Sequence, residues 1–170
     1  MSIDFVQKIT EEKKKSRELT FTIYTSSCFD EKTNSGSYGF CIVDRYEKKT
    51  VIIEKILDTS KSHIELKSIL ESIKYILNNN ENESKQFIHI NLSSTSLFSV
   101  NIIRDWLDKW VNQSSSAEDN IPFSSRPNYE LLNEIYNIIS MIKLNIKLIQ
   151  KSNNEIIWSL DRKTHEKLFE

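Results

Sequence analysis

The chain has 170 residues, enough for one core of ordinary size and short for two. With 38% hydrophobic and 28% charged residues it falls among globular proteins, and a net charge of −1 supplies no global field toward nucleic acid or an anionic membrane. Cys28 and Cys41 make neither a disulfide framework nor a paired zinc motif. No apolar run approaches the roughly 18–20 residues that span a bilayer, so a reduced, intracellular setting away from membranes is expected.

Residues 1–18 open with Ile3, Phe5, Val6 and Ile9 and continue into the mixed-charge run Glu11-Glu12-Lys13-Lys14-Lys15-Ser16-Arg17-Glu18. Mixed signs predict a solvated, partly helical extension; a basic arm for nucleic acid is the sharper alternative. Leu19-Thr20-Phe21-Thr22-Ile23-Tyr24 alternates Thr with apolar side chains and predicts a strand. A polar loop from Ser26 to Ser37 is expected next, then strands at Tyr38–Val43 and Thr50–Ile56 around the charged turn Asp44–Lys49. Short connections imply an antiparallel meander.

The period then changes. Ile64, Leu66, Ile69, Leu70, Ile73, Ile76 and Leu77 recur mainly at helical spacing, and Asn78-Asn79-Asn80 ends that helix. Phe87–Leu92 is a fourth strand, followed by a helix over about Ser96–Asn112, a polar loop to Asn128 and a helix over about Tyr129–Ile142. Asn145–Gln150 makes a fifth strand, and residues 159–169 a short terminal helix. The order β-β-β-α-β-α-α-β-α predicts an α/β domain over 19–170: one mixed sheet with helices on both faces.

Several segments carry a resemblance. Thr25-Ser26-Ser27 ends the first strand, Ser37-Tyr38-Gly39 opens the second, and His63-Ile64-Glu65-Leu66 begins the first long helix. Ser94-Thr95-Ser96 follows the fourth strand, with Phe98 and then Trp106 and Trp110 four apart, and Asp161-Arg162 stands near the start of the expected terminal helix. In order and spacing these segments resemble the ribonuclease H family, with its Thr-Asp-Gly-Ser, Gly-Tyr-Gly, Arg-Met-Glu-Leu and Thr-Asp-Ser motifs. The resemblance implies a five-stranded mixed sheet whose first three strands are antiparallel.

Such nucleases hold two divalent metals about 3.5–4 Å apart, one assisting the attacking water and one the leaving oxygen. Hard cations such as Mg²⁺ need oxygen ligands, and clustered carboxylates offset their charge. The family's four acidic positions fall here on Ser26, Glu65, Thr95 and Asp161, so only Glu65 and Asp161 remain as metal-ligating carboxylates. A hydroxyl can coordinate Mg²⁺ but cannot replace the missing charge. Asp30 and Asp58 are the nearest acids that could enter a remodelled site. The family's Gly-His loop before the last helix is replaced by Lys151-Ser152-Asn153-Asn154-Glu155, which has no His. The expectation is a catalytically inactive member, a pseudonuclease that needs no cofactor or at most retains weak Mg²⁺ binding. An active Mg²⁺-dependent endoribonuclease with rearranged ligands is the alternative.

Phe98, Trp106 and Trp110 match positions that pack against the DNA strand's sugars in the family, although tryptophans one helical turn apart can equally pack inside. Ser60 and Lys61 match backbone-contacting positions. Asp58 stands where relatives can carry an arginine, and Val111–Asn120 has no positive charge where some carry a basic projection. Since phosphate contacts dominate affinity, these losses weaken the case for tight hybrid binding. RNA or an RNA–DNA hybrid is therefore one expected partner, and a protein in a nucleic-acid-processing assembly the other. Cys28 as a nucleophile lacks a visible base, and His63, His89 and His165 are scattered along the chain.

Overall fold

The computed structural model describes residues 3–9, 18–112 and 121–170. Most of the charged run at 11–18 and of the stretch 111–120, which has no positive charge, lies outside the described residues. The described elements are helix α1 (residues 3–9), strands β1 (Leu19–Asp30), β2 (Ser35–Val43) and β3 (Lys49–Ile56), helix α2 (Lys61–Asn78) and strand β4 (Ile88–Ser94). There follow α3 (Leu97–Asn101), a π turn (Ile102–Trp106), α4 (Leu107–Asn112), α5 (Tyr129–Ile139), β5 (Lys143–Leu148) and α6 (Glu155–Leu168). Among the described residues, no helix is long and apolar enough to cross a membrane.

The sheet has five strands in the order β3-β2-β1-β4-β5. β1, β2 and β3 pair antiparallel, and β4 and β5 add parallel, which is the mixed sheet the resemblance implies. Successive strand residues point to opposite faces. Ser26 and Cys28 contact α6, and Gly39, opposite Ser26, approaches Leu160 and Thr164 of α6. Phe40, opposite Thr25, meets Tyr75 of α2 on the other face. The helices therefore cover both faces. The main core lies under α2, where Ile64, Ile69 and Ile73 bury their apolar stripe on Ile23, Phe40, Ile90 and Leu92.

The first hairpin differs from expectation. Ser26–Ser37 is not a loop: β1 runs on to Asp30, β2 begins at Ser35, and only residues 31–34 turn. Backbone pairing of Ser27 with Tyr38 and Cys28 with Ser37 carries the extra length, so it needs no apolar alternation. Asp30 closes the turn, accepting from the Lys32 N–H at 3.2 Å and the Thr33 hydroxyl at 2.9 Å. Its carboxylate thus serves the turn instead of a remodelled site.

Smaller corrections follow the same pattern. The helix after β4 is interrupted by the π turn, where the Leu107 N–H reaches back to the Ile102 carbonyl. α5 ends at Ile139, β5 is shifted to Lys143–Leu148, and α6 starts at Glu155, four residues before the expected 159. Asn154 caps α6, its side chain accepting from the N–H groups of Ile156 and Ile157.

Candidate functional site

The parallel ladder fixes where the site must lie. Thr25 pairs with Ser94 where the β1–β4 ladder ends at the carboxyl end of β4, so Ser26, still within β1, and Thr95, just past β4, are the next residues along two adjacent strands. Open α/β sheets present ligands at such carboxyl ends. Two groups of side chains gather there, one on each face.

On the α2 face a cleft of about 580 Å³ is lined by Ser60, Lys61, Ser62, Glu65, Thr95, Ser96, Leu97 and Phe98. Five residues singled out from sequence (Ser60, Lys61, Glu65, Thr95 and Phe98) meet in it. Ser60 is the N-cap of α2, accepting from the His63 N–H, which places Lys61 and Glu65 in the first turns of the helix. Ser96 caps α3 and also donates its hydroxyl to Glu65 Oε2 at 2.8 Å, tying the two helix starts together. Phe98, 43% exposed, stands at the rim.

The α6 face is built differently. Asp161 lies midway along α6, where no helix-terminus role is open to it. Its Oδ1 accepts the Ser26 hydroxyl at 2.9 Å and pairs with Lys151 Nζ, also at 2.9 Å. Two residues along β1 and one turn along α6, Cys28 Sγ lies 3.1 Å from His165 Nδ1. Burial pushes the Cys28 thiol up from its ordinary value; Asp161 adds to that rise and Lys151 opposes it. The thiol thus has a histidine neighbour that the sequence did not reveal, while its burial disfavours the thiolate that a nucleophile needs.

Trp106 and Trp110 lie outside the cleft. They stack on each other with centroids 6.4 Å apart and planes 25° from parallel. Trp106 is 46% exposed, whereas Trp110 packs against the core, so the two tryptophans divide between surface and interior. Lys109 sits 5.3 Å from the Trp106 ring centroid and Arg126 4.0 Å from that of Trp110. Positive charge therefore reaches this aromatic pair from Lys109, its neighbour in α4, and from Arg126 in the segment before α5, which only the fold brings near.

The donor set does not fit a pair of divalent cations. Ser26 and Thr95 are neutral, Glu65 accepts from Ser96, and Asp161 already faces an ammonium group. Among the described residues, no three His, Cys, Asp or Glu side chains gather as a metal-holding group. Glu65 and Asp161 each belong to a different helix and a different hydrogen-bonded set.

No protein-family model and no curated protein matches the sequence. Solved structures do. The crystal structure of LC11-RNase H1 in complex with RNA/DNA hybrid superposes with a TM-score of 0.64 at 13% identity, covering 86% of this chain and 97% of that one. LC9-RNase H1, a type 1 RNase H with the type 2 active-site motif, gives 0.65 at 12% identity over 88% of this chain and 70% of its own. The N-terminal RNase H domain of rv2228c from Mycobacterium tuberculosis gives 0.65 at 10% identity, covering 89% and 95%. With the strand order and mixed sheet described above, these similarities establish that the chain has the ribonuclease H-like fold.

Proposed function

We propose that this domain is a non-cleaving, nucleic-acid-binding member of the ribonuclease H-like fold, receiving the backbone of RNA or an RNA–DNA hybrid across the carboxyl ends of β1 and β4. The observation that carries the reading is the state of Asp161: it is bound by the Ser26 hydroxyl and the Lys151 ammonium, with no second carboxylate at the Ser26 position. A two-metal displacement needs clustered negative charge to hold its cations, and this half of the site is instead electrically neutral. What remains suits recognition. Lys61 and the serines at the start of α2 can meet phosphate oxygens, and Phe98 and Trp106 present aromatic surface for sugars or bases. Structural neighbours that bind RNA/DNA hybrid support the choice of ligand class.

Two measurements test this. A fluorescence titration of labelled hybrid and of RNA across salt concentrations should give binding that weakens as salt rises. Absence of binding at low salt overturns the nucleic-acid reading. Incubation with labelled hybrid in Mg²⁺ or Mn²⁺ should leave the substrate intact. Cleavage that disappears in Glu65→Gln would instead establish an active nuclease with rearranged ligands.

A further inference from the structure

We propose that Lys151 is a cation built into the site, anchoring a phosphodiester of the bound nucleic acid at the β1–α6 half without a divalent metal. The inference rests on the nucleic-acid reading above and deepens it.

The position of Lys151 is set by its flanks. On one side the Ile149 N–H donates to the Ser94 carbonyl at 2.9 Å, fastening the chain to the exit of β4. On the other, Asn154 caps α6 with bonds of 2.9 and 3.1 Å to the Ile156 and Ile157 N–H groups. Lys151 opens the short 3₁₀ turn between these anchors. Its ammonium reaches Asp161 Oδ1 at 2.9 Å, the oxygen that also accepts the Ser26 hydroxyl. The charge is thereby placed beside the strand end where the metal-dependent arrangement would need a carboxylate and a cation. The opposing influences of Asp161 and Lys151 on the Cys28 thiol are consistent with both groups standing over the end of β1.

The chemistry favours an anion as the third partner. An ammonium group has three N–H donors, and one is directed at Asp161. The Lys151 side chain is 55% exposed, so the remaining donors face solvent across the site. As a solvent-exposed ion pair it contributes little to stability. Removing the charge should therefore leave the fold intact. Asp161 holds the ammonium in place and also competes with phosphate for it. That competition gives the inference a sign that a metal-ligand role for Asp161 would reverse.

The experiment is an anisotropy titration of fluorescein-labelled RNA–DNA hybrid, in EDTA and in Mg²⁺ at matched ionic strength. It uses the full chain as wild type, Lys151→Gln, Lys151→Arg and Asp161→Asn, with thermal melts confirming that each variant is folded. Wild type should bind equally in both buffers. Lys151→Gln should bind about fivefold more weakly, with its salt slope lowered by about one. Lys151→Arg should stay near wild type. Asp161→Asn keeps an oxygen for Ser26 and releases the ammonium, so it should bind more tightly. Binding that needs Mg²⁺, an Asp161→Asn variant weakened in Mg²⁺, or a Lys151→Gln variant that binds with wild-type affinity and slope overturns the inference. In the last case the nucleic-acid reading survives; if wild type binds in neither buffer, both fall together.

Discussion

The two faces of the sheet receive the end of β1 in contrasting ways. Toward α2, Thr25 is wholly buried, and its hydroxyl finds no hydrogen-bond partner among the described residues. Toward α6, the next residue, Ser26, is 2% exposed and donates to Asp161, while Ser37 of the neighbouring strand donates to the Thr164 carbonyl. Adjacent hydroxyls thus differ in use: one is idle inside an apolar core, the other ties a strand to a helix. The contrast shows how a hydroxyl at position 26 is accommodated. α6 is docked through polar links that a second negative charge would break, whereas the α2 side keeps Glu65 in an open cleft.

The largest effect should come from placing an acid at position 26. Ser26→Asp would set a carboxylate at a position only 2% exposed, against the part-buried Asp161, where Lys151 can offset only one of the two charges. An uncompensated buried charge costs on the order of 3 kcal/mol, measurable by urea denaturation. Adding Asp161→Asn should recover most of that loss. If Ser26→Asp is as stable as wild type, the α6 face is not the polar-linked seat described above.

Glycine substitutions probe the same seats sterically. A Cβ on Gly39 would lie 2.6 Å from Ile53 Cδ1, 2.7 Å from Thr164 Cγ2 and 2.9 Å from Leu160 Cδ1. On Gly36 it would meet Ile64 Cγ1 at 2.9 Å and Cδ1 at 3.2 Å. Gly39→Ala should cost about 2 kcal/mol and Gly36→Ala about 1 kcal/mol, within the range for overpacking. The reverse order in denaturation midpoints would mean that α6 yields more easily than α2.

Thr25→Val should act in the opposite direction. It keeps the branched shape and removes a buried hydroxyl left without a partner, so a gain of about 1 kcal/mol is expected. A loss of stability would show that the hydroxyl is bonded and that the contrast with Ser26 is false.

These particular residues also explain what could be read from sequence. The meander, α2 and the β4 exit were legible because apolar period and turn residues are local signals, and Thr25-Ser26 and Thr95 could be aligned by spacing. The extension of β1 to Asp30 was not, because Ser26, Ser27 and Cys28 become strand by pairing with β2 and by touching α6. The start of α6 is marked locally by Asn154-Glu155 before Ile156 and Ile157, a capping signal whose polar residues also read as loop. Lys151 with Asp161, Cys28 with His165 and Arg126 with Trp110 are juxtapositions made by the fold, and no spacing in the chain announces them.

Alkaline titration separates the faces by their onset. Burial raises the Cys28 and Cys41 thiols on the α6 side above the ordinary 9.0, and it raises the Tyr38 phenol on the α2 side, helped by its hydrogen bond to Glu54. A proton held more tightly in the folded chain gives stability that is complete below the unfolded value and is lost as pH rises toward and through the folded one. Melting temperature should therefore hold to about pH 8 and fall above it. The thiol contribution should begin first and the Tyr38 contribution later. Cys28→Ser with Cys41→Ala should delay the onset, whereas Tyr38→Phe should affect only the higher range. An unchanged onset in the double thiol variant would remove this distinction between the faces.

The smallest change is expected from Glu65→Gln. Ser96 donates to a Glu65 oxygen at 2.8 Å, and the amide of glutamine keeps an acceptor oxygen in that place. Ser96 also remains the cap of α3 through the Ser99 N–H at 3.1 Å, so both helix starts stay tied. The carboxylate borders an open cleft and has no ion pair to lose among the described residues, which limits the effect to about 0.5 kcal/mol. On the proposed reading, in which the cleft meets phosphate, removing a negative charge from it should leave hybrid affinity unchanged or slightly stronger. A marked loss of binding in Mg²⁺, with stability preserved, would mean that Glu65 holds a cation on the α2 side. The two halves would then differ in metal use as well as in packing: a metal-dependent cleft beside a half whose positive charge comes from Lys151.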